Sequence, residues 1–522
     1  MASLTLKAGL KSLQKKDYKA VHANCMTAIK ADINNPIPYF LLAIIASDHR
    51  NFEKALELFS KAETLDVSNA HYPTFLGKTL SEMRRSSDAK KAANRAAKCD
   101  IKEGYLADMI GVIYSRCGAH DLAIPLFERA VKLDPKQANF YYNLGASAQF
   151  IGEFDKAERA YEKTLGLDPN HYRAWASKIS LRKQKEENNH LSALKRLFED
   201  LQDNEDASHQ IGHAIAKTLE DIGDHKASFD WLLKAKAAKR NQYRYDRIAG
   251  AKTFTAAAQT TTKIIDAPAK MPSQSDCPIF VTGLPRTGTT LVDRILSSHS
   301  LVKSAGELNI FSERVKTATG TTSPHVLDAQ TFLAAQDIDL ATIGHAYLDD
   351  VMTRVNDSAK IIDKMPLNFF YAGLIHKALP NAKIIVLRRG AMDSCLSNFR
   401  QLLSIQESFY NYTFDLDDTA FFYKKFDGLI NHWREALPTD RFFEIRYEDI
   451  IFDQENQTRR LLSFCGLEFE ESCMRFHENK APVSTASSVQ VRQPLYSGSI
   501  GRWTKYGDKL DGLKAALGDL AD

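Results

Sequence analysis

The first third of the chain repeats its pattern of apolar, small and polar residues with a period of 34. Four units keep one register, at residues 37–70, 71–104, 105–138 and 139–172. Each unit has a small residue at its seventh position and alanine at its nineteenth: Ala43, Gly77, Gly111 and Gly145, then Ala55, Ala89, Ala123 and Ala157. In three units an aromatic residue follows that alanine by four positions, at Phe59, Phe127 and Tyr161. The pattern predicts helical hairpins that cross closely at the small residue, with the aromatic ring beside it.

The next segment keeps the helical spacing of apolar residues but loses the repeat. Stretches such as LSALKRLFEDL and ASFDWLLKAKAAKRNQY predict bridging or capping helices. Residues 250–278 are rich in Ala, Thr, Ser and Pro, which indicates a domain boundary. We therefore expect a repeat array at 1–172, a helical bridging region with a linker at 173–265, and a further domain at 266–522.

The last part of the chain alternates short apolar runs with helical segments. The runs read PIFVTG, LVKSAG, AKIIDK, AKIIVLRR and FFEIRYED. Such alternation predicts parallel strands joined by crossover helices. The predicted fold class is an N-terminal α-solenoid followed by an α/β domain with a parallel sheet and a phosphate-loop-like first turn.

A polar residue stands at the end of each apolar run. In chain order these are Arg286, Glu307, Lys364, Arg388 with Arg389, and Arg446 with Tyr447. Ligands of parallel sheets bind outside the carboxyl ends of the strands. Four of the five run-ends supply a cation there, so the pattern favours an anion site.

The sharpest motif is GLPRTGTT, residues 283–290, between the first run and a helical segment. A glycine-rich strand–turn–helix cradles phosphate because its backbone N–H groups point at the anion. The spacing matches the nucleotide-binding loop G-x4-G-K-[ST], but Thr289 replaces the lysine that reaches the outer phosphates of a triphosphate. This replacement argues against a kinase or ATPase and favours a donor with one phosphate in the loop, with Arg286 as the cation.

Length, charge and composition exclude several classes of protein and of binding site. A chain of 522 residues is too long for one core, and its net charge of +4 is too small to indicate nucleic acid. The 7 cysteines form no CxxC pair and are odd in number, which favours free thiols and a cytoplasmic location. No apolar run of about 18 residues predicts a membrane helix, and the lysine-rich N-terminus does not look like a signal peptide. Histidine and cysteine show no ligand spacing, so no metal is predicted.

Two resemblances follow from these motifs. The 34-residue units resemble the tetratricopeptide repeat, which implies a superhelix whose groove binds a peptide or positions an acceptor. The array could instead serve dimerisation, or only the folding of the neighbouring domain. PRTGTT resembles the sulfotransferase-family loop for the 5′-phosphosulfate end of 3′-phosphoadenosine 5′-phosphosulfate (PAPS). The resemblance assigns this end of the donor to Pro285, Arg286, Thr287, Gly288, Thr289 and Thr290.

A second motif of that family binds the 3′-phosphate through an arginine at a strand end and a serine eight residues on. Arg389 and Ser397 in RRGAMDSCLSNF fit this spacing, about 100 residues after PRTGTT. Arg388 is adjacent, so the sequence leaves open which arginine binds.

Within the family, the chain resembles the tyrosylprotein sulfotransferases and their repeat-bearing bacterial relatives, over roughly residues 277–506. The resemblance implies that Glu307 is the catalytic base and that Lys364 acts on the transferring group. It implies further that Tyr447 contacts the donor, that Ser487 is a catalytic serine, and that Arg502 stands in a donor-covering loop where the family usually has lysine.

The implied reaction moves a sulfuryl group from PAPS to a hydroxyl acceptor such as protein tyrosine, a small phenol, a carbohydrate or a lipid. Arg286, Lys364 and Ser487 would stabilise the transferring group, and no metal is needed. Two alternatives are a P-loop phosphotransferase and a repeat scaffold with an inactive domain. Glu307 could also hold a ribose, but GLPRTG lacks the dinucleotide-loop spacing that this would require.

Overall fold

The computed structural model describes residues 5–83, 85–264, 272–355, 359–403, 408–479, 481 and 490–521. The chain divides into two compact units, Met1–Leu181 and Arg182–Asp522. Each unit has its own hydrophobic core.

The first unit consists of antiparallel helical hairpins. Its helices are α1 (Leu6–Gln14), α2 (Tyr18–Ala31), α3 (Pro36–Asp48), α4 (Phe52–Leu65), α5 (His71–Glu82), α6 (Ser86–Ala96), α7 (Gly104–Arg116), α8 (His120–Leu133), α9 (Ala138–Ile151), α10 (Phe154–Leu167) and α11 (Tyr172–Leu181). A side chain on Gly111 would lie 2.6 Å from the ring of Phe127, and one on Gly145 would lie 2.7 Å from the ring of Tyr161. The predicted hairpins and their close crossings at small residues are confirmed.

The second unit is a sheet covered by helices. Its helices are α12 (Leu191–Asp200), α13 (Glu205–Asp221), α14 (His225–Arg240), α15 (Arg247–Ile264), α16 (Thr289–Ser297), α17 (Ile310–Thr319), α18 (Ala329–Ala334), α19 (Leu340–Val355), α20 (Ala372–Ala378), α21 (Ala391–Arg400), α22 (Leu416–Ala436), α23 (Tyr447–Phe452), α24 (Gln454–Phe464) and α25 (Asp511–Leu517). Short 3₁₀ turns lie at Ala335–Asp337, Pro366–Tyr371, Ser408–Phe414, Glu471–Cys473, Phe476–Glu478, Gln490–Arg492, Arg502–Leu510 and Gly518–Ala521.

The five predicted runs form one parallel sheet with strand order β2-β3-β1-β4-β5. The strands are β1 (Pro278–Gly283), β2 (Val302–Ser304), β3 (Lys360–Asp363), β4 (Lys383–Arg388) and β5 (Phe442–Arg446). Successive side chains of β1 alternate between the two faces: Phe280 packs in one core cluster, and Ile279 and Val281 pack in the other. Because β1 is central, the loop after it lies between the ends of β3 and β4.

The segment interpreted as a boundary begins with a helix. α15 runs through Ile264, and Phe254 on it packs against Phe370 with ring centroids 4.5 Å apart. Alanine has high helix propensity, and the buried Phe254, Ala256 and Ala257 give this Ala- and Thr-rich stretch an apolar face. Residues 182–264 therefore share a compact unit with the sheet, and the three-part division stays a prediction.

Two further properties of the chain concern its helices and its cysteines. Among the helices that the structure describes, none is long and apolar enough to cross a membrane. All seven cysteines are free thiols: Cys25, Cys99, Cys117, Cys277, Cys395, Cys465 and Cys473.

Candidate functional site

The loop between β1 and α16 depends on two glycines. Gly283 has φ +146°, and a side chain there would meet the backbone oxygen of Leu387 at 2.6 Å. Gly288 has φ +109°, and a side chain there would lie 2.7 Å from the ring of Tyr447. Glycine is required at both positions because any larger residue would be strained and would clash. The bare backbone leads directly into the N-terminus of α16, an arrangement suited to binding an anion.

Arg286 lies at the turn of this loop and has a left-handed backbone, with φ +66°. Its Nη2 donates a 2.7 Å hydrogen bond to Oε1 of Gln490. Burial lowers the pKa of Arg286 to about 10, and the positive charges of Arg389 and Arg502 act in the same direction. An anion bound among these guanidinium groups would offset their mutual repulsion.

The other residues predicted for the loop are held by the fold around it. The backbone oxygen of Pro285 accepts a 2.8 Å hydrogen bond from Nδ2 of Asn398. The Thr287 hydroxyl donates a 2.7 Å hydrogen bond to a carbonyl in its own turn. Thr289 and Thr290 are the first residues of α16, and both are buried. A hydrogen bond from α21 therefore holds the start of the loop, and the end of the loop continues into α16.

Arg389 follows β4 and faces this loop. Its Nη1 donates to the backbone oxygen of Arg286 at 3.1 Å and to Oγ of Ser397 at 3.3 Å. Its Nη2 donates to the backbone oxygen of Ser499, and its guanidinium lies 5.0 Å from the ring centroid of Tyr447. The side chain is buried, and no described residue accepts a hydrogen bond from its Nε. A buried N–H group without a partner is costly, so this atom fits a ligand acceptor.

Arg388 points to a different environment. Its Nη2 donates to Asp427, and its Nη1 lies 3.6 Å from Glu444. Two carboxylates thus neutralise this guanidinium, and Arg389 is the arginine that meets the loop.

The C-terminal segment closes over the same region. The Tyr447 hydroxyl lies 2.7 Å from Oγ of Ser499. The Asp393 carboxylate accepts hydrogen bonds from the backbone N–H groups of Gly501, at 2.6 Å, and Trp503, at 3.2 Å. Asp393 therefore ties this segment to the first turn of α21, one turn from Arg389.

A second carboxylate holds the next part of that segment. Glu220, on α13, accepts a hydrogen bond from Arg400 and another, of 3.0 Å, from the Tyr506 hydroxyl. Its Oε1 lies 3.8 Å from Nη1 of Arg502. Glu220 thus contacts both the end of α21 and the C-terminal segment.

Glu307 and Lys364 form an ion pair at the ends of β2 and β3. The Lys364 ammonium donates to Oε1 of Glu307. The Lys364 side chain is 1% exposed, whereas the Glu307 side chain is 35% exposed. The backbone N–H of Lys364 donates a 2.9 Å hydrogen bond to Gly306, which sets the two motifs side by side. The ammonium of the pair is thus buried, whereas the carboxylate is partly exposed to solvent.

Two buried carboxyl groups lie behind this pair. Burial raises the pKa of Asp363 to about 7, although the Tyr347 hydroxyl donates it a 3.0 Å hydrogen bond. Burial also raises the pKa of Asp293, and the charge of Lys364 opposes this shift. Lys364 thus forms an ion pair with Glu307, and its charge also favours the ionised forms of Asp363 and Asp293.

The strand order places these groups along one edge of the sheet. The cationic groups lie at the ends of β1, β4 and β5, and the Glu307–Lys364 pair lies at the ends of β2 and β3, on the other side of β1. Ser487 falls outside the described residues. The roles assigned to all these residues stay predictions. Within the described ranges, no group of three or more His, Cys, Asp and Glu side chains is arranged to hold a metal ion.

Sequence reasoning missed three residues that hold the site together. Asp393 could have been found, because it follows Arg389 by four positions on the same motif. Gln490 and Glu220 had no such signal. Their partners are 204 residues away for Gln490 and 180 and 286 residues away for Glu220.

Comparison with known proteins bears on this arrangement. Residues 278–471 match the sulfotransferase family, and residues 107–137 and 138–171 each match the tetratricopeptide repeat. The chain carries a sulfotransferase-family domain. The match spans all five strands together with the loop, Glu307, Lys364, Arg389 and Tyr447. The sulfotransferase domain is preceded by tetratricopeptide repeats.

The chain is similar to several curated proteins. An uncharacterized protein of Aquifex aeolicus is 31% identical over 308 residues, which are 56% of this chain and 39% of that protein. A protein-tyrosine sulfotransferase of Drosophila melanogaster is 22% identical over 237 residues, which are 43% of this chain and 46% of that enzyme. The chain thus spans less than half the length of either relative. The sulfotransferase domain of the Synechococcus PCC 7002 olefin synthase aligns at 16% identity and a TM-score of 0.35, over 49% of this chain and 97% of that one.

Proposed function

We propose that this protein is a sulfotransferase that moves a sulfuryl group from PAPS to a hydroxyl acceptor, with protein tyrosine as one candidate. One observation supports this proposal most strongly. At the carboxyl ends of β1 and β4, Arg389 donates hydrogen bonds both to Ser397 and to the backbone of the Arg286 loop. A nucleotide with phosphates at both its 3′ and 5′ positions needs two anion sites a nucleoside apart. We assign one anion to the loop and the other to the Arg389–Ser397 pair, both at the carboxyl edge of the sheet.

The proposed donor contacts combine the loop after β1 with the arginine after β4. The loop backbone at residues 285–290 takes the 5′-phosphosulfate, with Arg286 as its cation. Arg389 and Ser397 take the 3′-phosphate, for which the buried Nε of Arg389 is available. Tyr447 and Arg502 complete the donor site from β5 and from the C-terminal segment.

The transfer itself is an in-line displacement. The acceptor oxygen forms a bond to sulfur while the bond from sulfur to the 5′-phosphate oxygen breaks, and that oxygen leaves with the electron pair. Glu307 takes the acceptor proton. Arg286 and Lys364, with Ser487, stabilise the charge on the transferring group and the leaving phosphate. A carboxylate is a much weaker base than a phenolate, whose conjugate acid has a pKa of about 10. In a loose transition state this difference matters little because the proton moves late.

Two alternatives make different predictions. A phosphotransferase would bind ATP with magnesium, but Thr289 stands where such loops carry lysine. An inactive scaffold would need no accessible base beside a buried cation, whereas Glu307 is 35% exposed and paired with Lys364. Both observations favour the sulfotransferase.

For the acceptor and location we propose the following. The repeat groove binds a protein, either the acceptor or a partner that brings it. The relatives named protein-tyrosine sulfotransferases support tyrosine as an acceptor. Seven free thiols support a reducing compartment such as the cytoplasm.

Thermal denaturation with nucleotides tests the donor. The product nucleotide, adenosine 3′,5′-bisphosphate, should raise Tm by mass action, by about 2.7 kcal/mol in unfolding free energy at a hundredfold excess over Kd. ATP with magnesium should raise it much less. Equal stabilisation by ATP with magnesium would favour the phosphotransferase, and no stabilisation by either nucleotide would favour the scaffold.

A further inference from the structure

The first unit contains a polar cavity of about 490 Å³ that the transfer chemistry does not use. It is lined by the first helices of three successive hairpins, α7, α9 and α11, and by the turn before α11. The lining residues are Asp108, Asn139, Tyr142, Asn143, Asp168, Asn170, His171, Tyr172 and Arg173.

Hydrogen bonds among the lining side chains determine which of their polar atoms remain available to a ligand. Nδ1 of His171 accepts a hydrogen bond from the backbone N–H of Ala174, so its Nε2 carries the proton and donates to Oδ1 of Asn139 at 3.0 Å. The Asn139 amide nitrogen is thereby left as a donor. Asn143 donates through Nδ2 to Oδ1 of Asp108 at 2.8 Å, which leaves the Asn143 oxygen as an acceptor.

Asn139 and Asn143 are four residues apart on α9, so they lie on one face of the helix. One offers an N–H donor and the other a carbonyl acceptor. A peptide group has the complementary pair, a carbonyl oxygen and an N–H. The α9 face thus matches the backbone of an extended peptide.

Asp108 adds a charge to this polar wall. In the part of the chain that the structure describes, no lysine or arginine is ion-paired with Asp108, and no residue donates to its Oδ2. Burial raises the pKa of this carboxyl to about 6, although the hydrogen bond from Asn143 opposes the shift. Asp168, which also lines the cavity, is likewise without an ion-pair partner among the described residues. A cation that enters the cavity would therefore meet carboxyl groups that have no cationic partner among the described residues.

We infer that this cavity binds an extended peptide segment and takes a lysine or arginine side chain of that segment against Asp108. The aromatic rings of Tyr142 and His171, 4.9 Å apart, give the aliphatic part of such a side chain a surface to pack on. Arg173 lies at the rim, where its guanidinium is 5.8 Å from the ring of Tyr172, and it can bind a carbonyl oxygen of the same peptide. The inference deepens the proposed role of the repeats and does not depend on the sulfuryl donor.

Peptide selection on the full-length protein tests this inference. The probe is a library of acetylated, amidated heptapeptides, which lack terminal charges, with the central residue varied. Peptides with a central Lys or Arg should be enriched about tenfold over those with norleucine or glutamine, the difference expected for one charge-assisted hydrogen bond. Asp108→Asn should abolish this enrichment and keep Tm equal to or above that of the wild type, because it removes a buried carboxyl without a cation.

Asp121→Asn is the matched control, since Asp121 is an exposed residue on the second helix of the same hairpin. The control should keep the enrichment. Enrichment of acidic peptides, no charge preference, or an unchanged Lys and Arg preference in Asp108→Asn would each overturn the inference. The Tm shift with adenosine 3′,5′-bisphosphate, measured on the same samples, separates this result from a failure of the proposed enzyme activity.

Discussion

Arg389 Nη1 donates a 3.1 Å hydrogen bond to the backbone oxygen of Arg286, a residue 103 positions earlier in the chain. This bond joins the two motifs that we propose bind the phosphate groups of the donor. Arg389 also donates to Ser397 and to the backbone oxygen of Ser499. It therefore contacts both motifs and the covering segment, residues 499–510.

Arg389→Ala should weaken binding of adenosine 3′,5′-bisphosphate by about tenfold or more, since a hydrogen bond to a charged group contributes about 1.5–3 kcal/mol. Acceptor affinity should change less. Titration calorimetry with the nucleotide measures the first effect, and the acceptor KM measures the second.

Arg388→Ala is the natural comparison. Because Arg388 is paired with Asp427 and Glu444, its loss should lower Tm while nucleotide affinity in the folded protein stays close to that of the wild type. A larger loss of nucleotide affinity in Arg388→Ala than in Arg389→Ala would contradict the assignment of the 3′-phosphate to Arg389.

Glu220→Gln should raise the donor KM about threefold or more, with kcat at saturating donor nearly unchanged. The reason is positional: Glu220 holds Arg502 and Tyr506 of the covering segment against Arg400. Initial rates against donor concentration, taken well below the Tm of the variant, separate this effect from lost stability.

The matched control is Asp508→Asn, which breaks the exposed Lys226–Asp508 pair between α14 and the same C-terminal segment. Exposed pairs contribute about 0–1 kcal/mol, so donor KM should not change. A donor KM unchanged in Glu220→Gln would show that Glu220 serves stability alone.

Lys236→Met should stabilise the protein, and more so at about pH 6 than at about pH 9. Burial lowers the pKa of Lys236 to about 7 from 10.5, so folding carries a cost that is full below pH 7 and disappears as the pH rises through the unfolded value. The groups around the ammonium are uncharged. Burial keeps His209 and His213 neutral, and the carbonyl of Gln401 accepts a 3.3 Å hydrogen bond from the ammonium. The ring centroids of Phe399 and Phe414 lie 5.5 and 5.0 Å from it.

Melting curves at the two pH values check this, with Lys234→Met as the control, since Lys234 is exposed two residues away. Tm should rise by about 2 °C or more at the lower pH for Lys236→Met alone. A Tm gain that is equal at both pH values would mean that Lys236 is charged in the folded protein throughout.

Much of the fold could be predicted because its signals are local. The small residues at the seventh repeat position and the aromatics at the twenty-third meet within one hairpin, as Gly111 and Phe127 do. The five strands are continuous apolar runs because both faces of the sheet are covered. The carboxyl ends of parallel strands share one edge, and therefore the polar run-ends could be placed together in advance.

What could not be predicted depends on contacts distant in sequence. The composition of α15 resembles that of a linker. The contacts that hold this helix in the fold, from Phe254 to the rings of Phe370 and Phe422, are with segments distant in sequence. Nothing near Glu220 in the sequence indicates that it binds Arg400. The partners of Arg388, Asp427 and Glu444, also lie outside its motif, so the sequence could not show that Arg389 is the arginine that contacts the loop.

Transfer of radioactive sulfur from ³⁵S-labelled PAPS, with fractionated lysate as the source of acceptors, tests the central claim most directly. Wild-type protein should move label from the donor to an acceptor fraction and release adenosine 3′,5′-bisphosphate in equal amount. Glu307→Gln should bind that nucleotide as well as the wild type does and transfer about 10²–10⁴-fold more slowly at saturating donor. Label that stays on the donor with every fraction, while ³²P moves from labelled ATP in the same assay, would contradict the account.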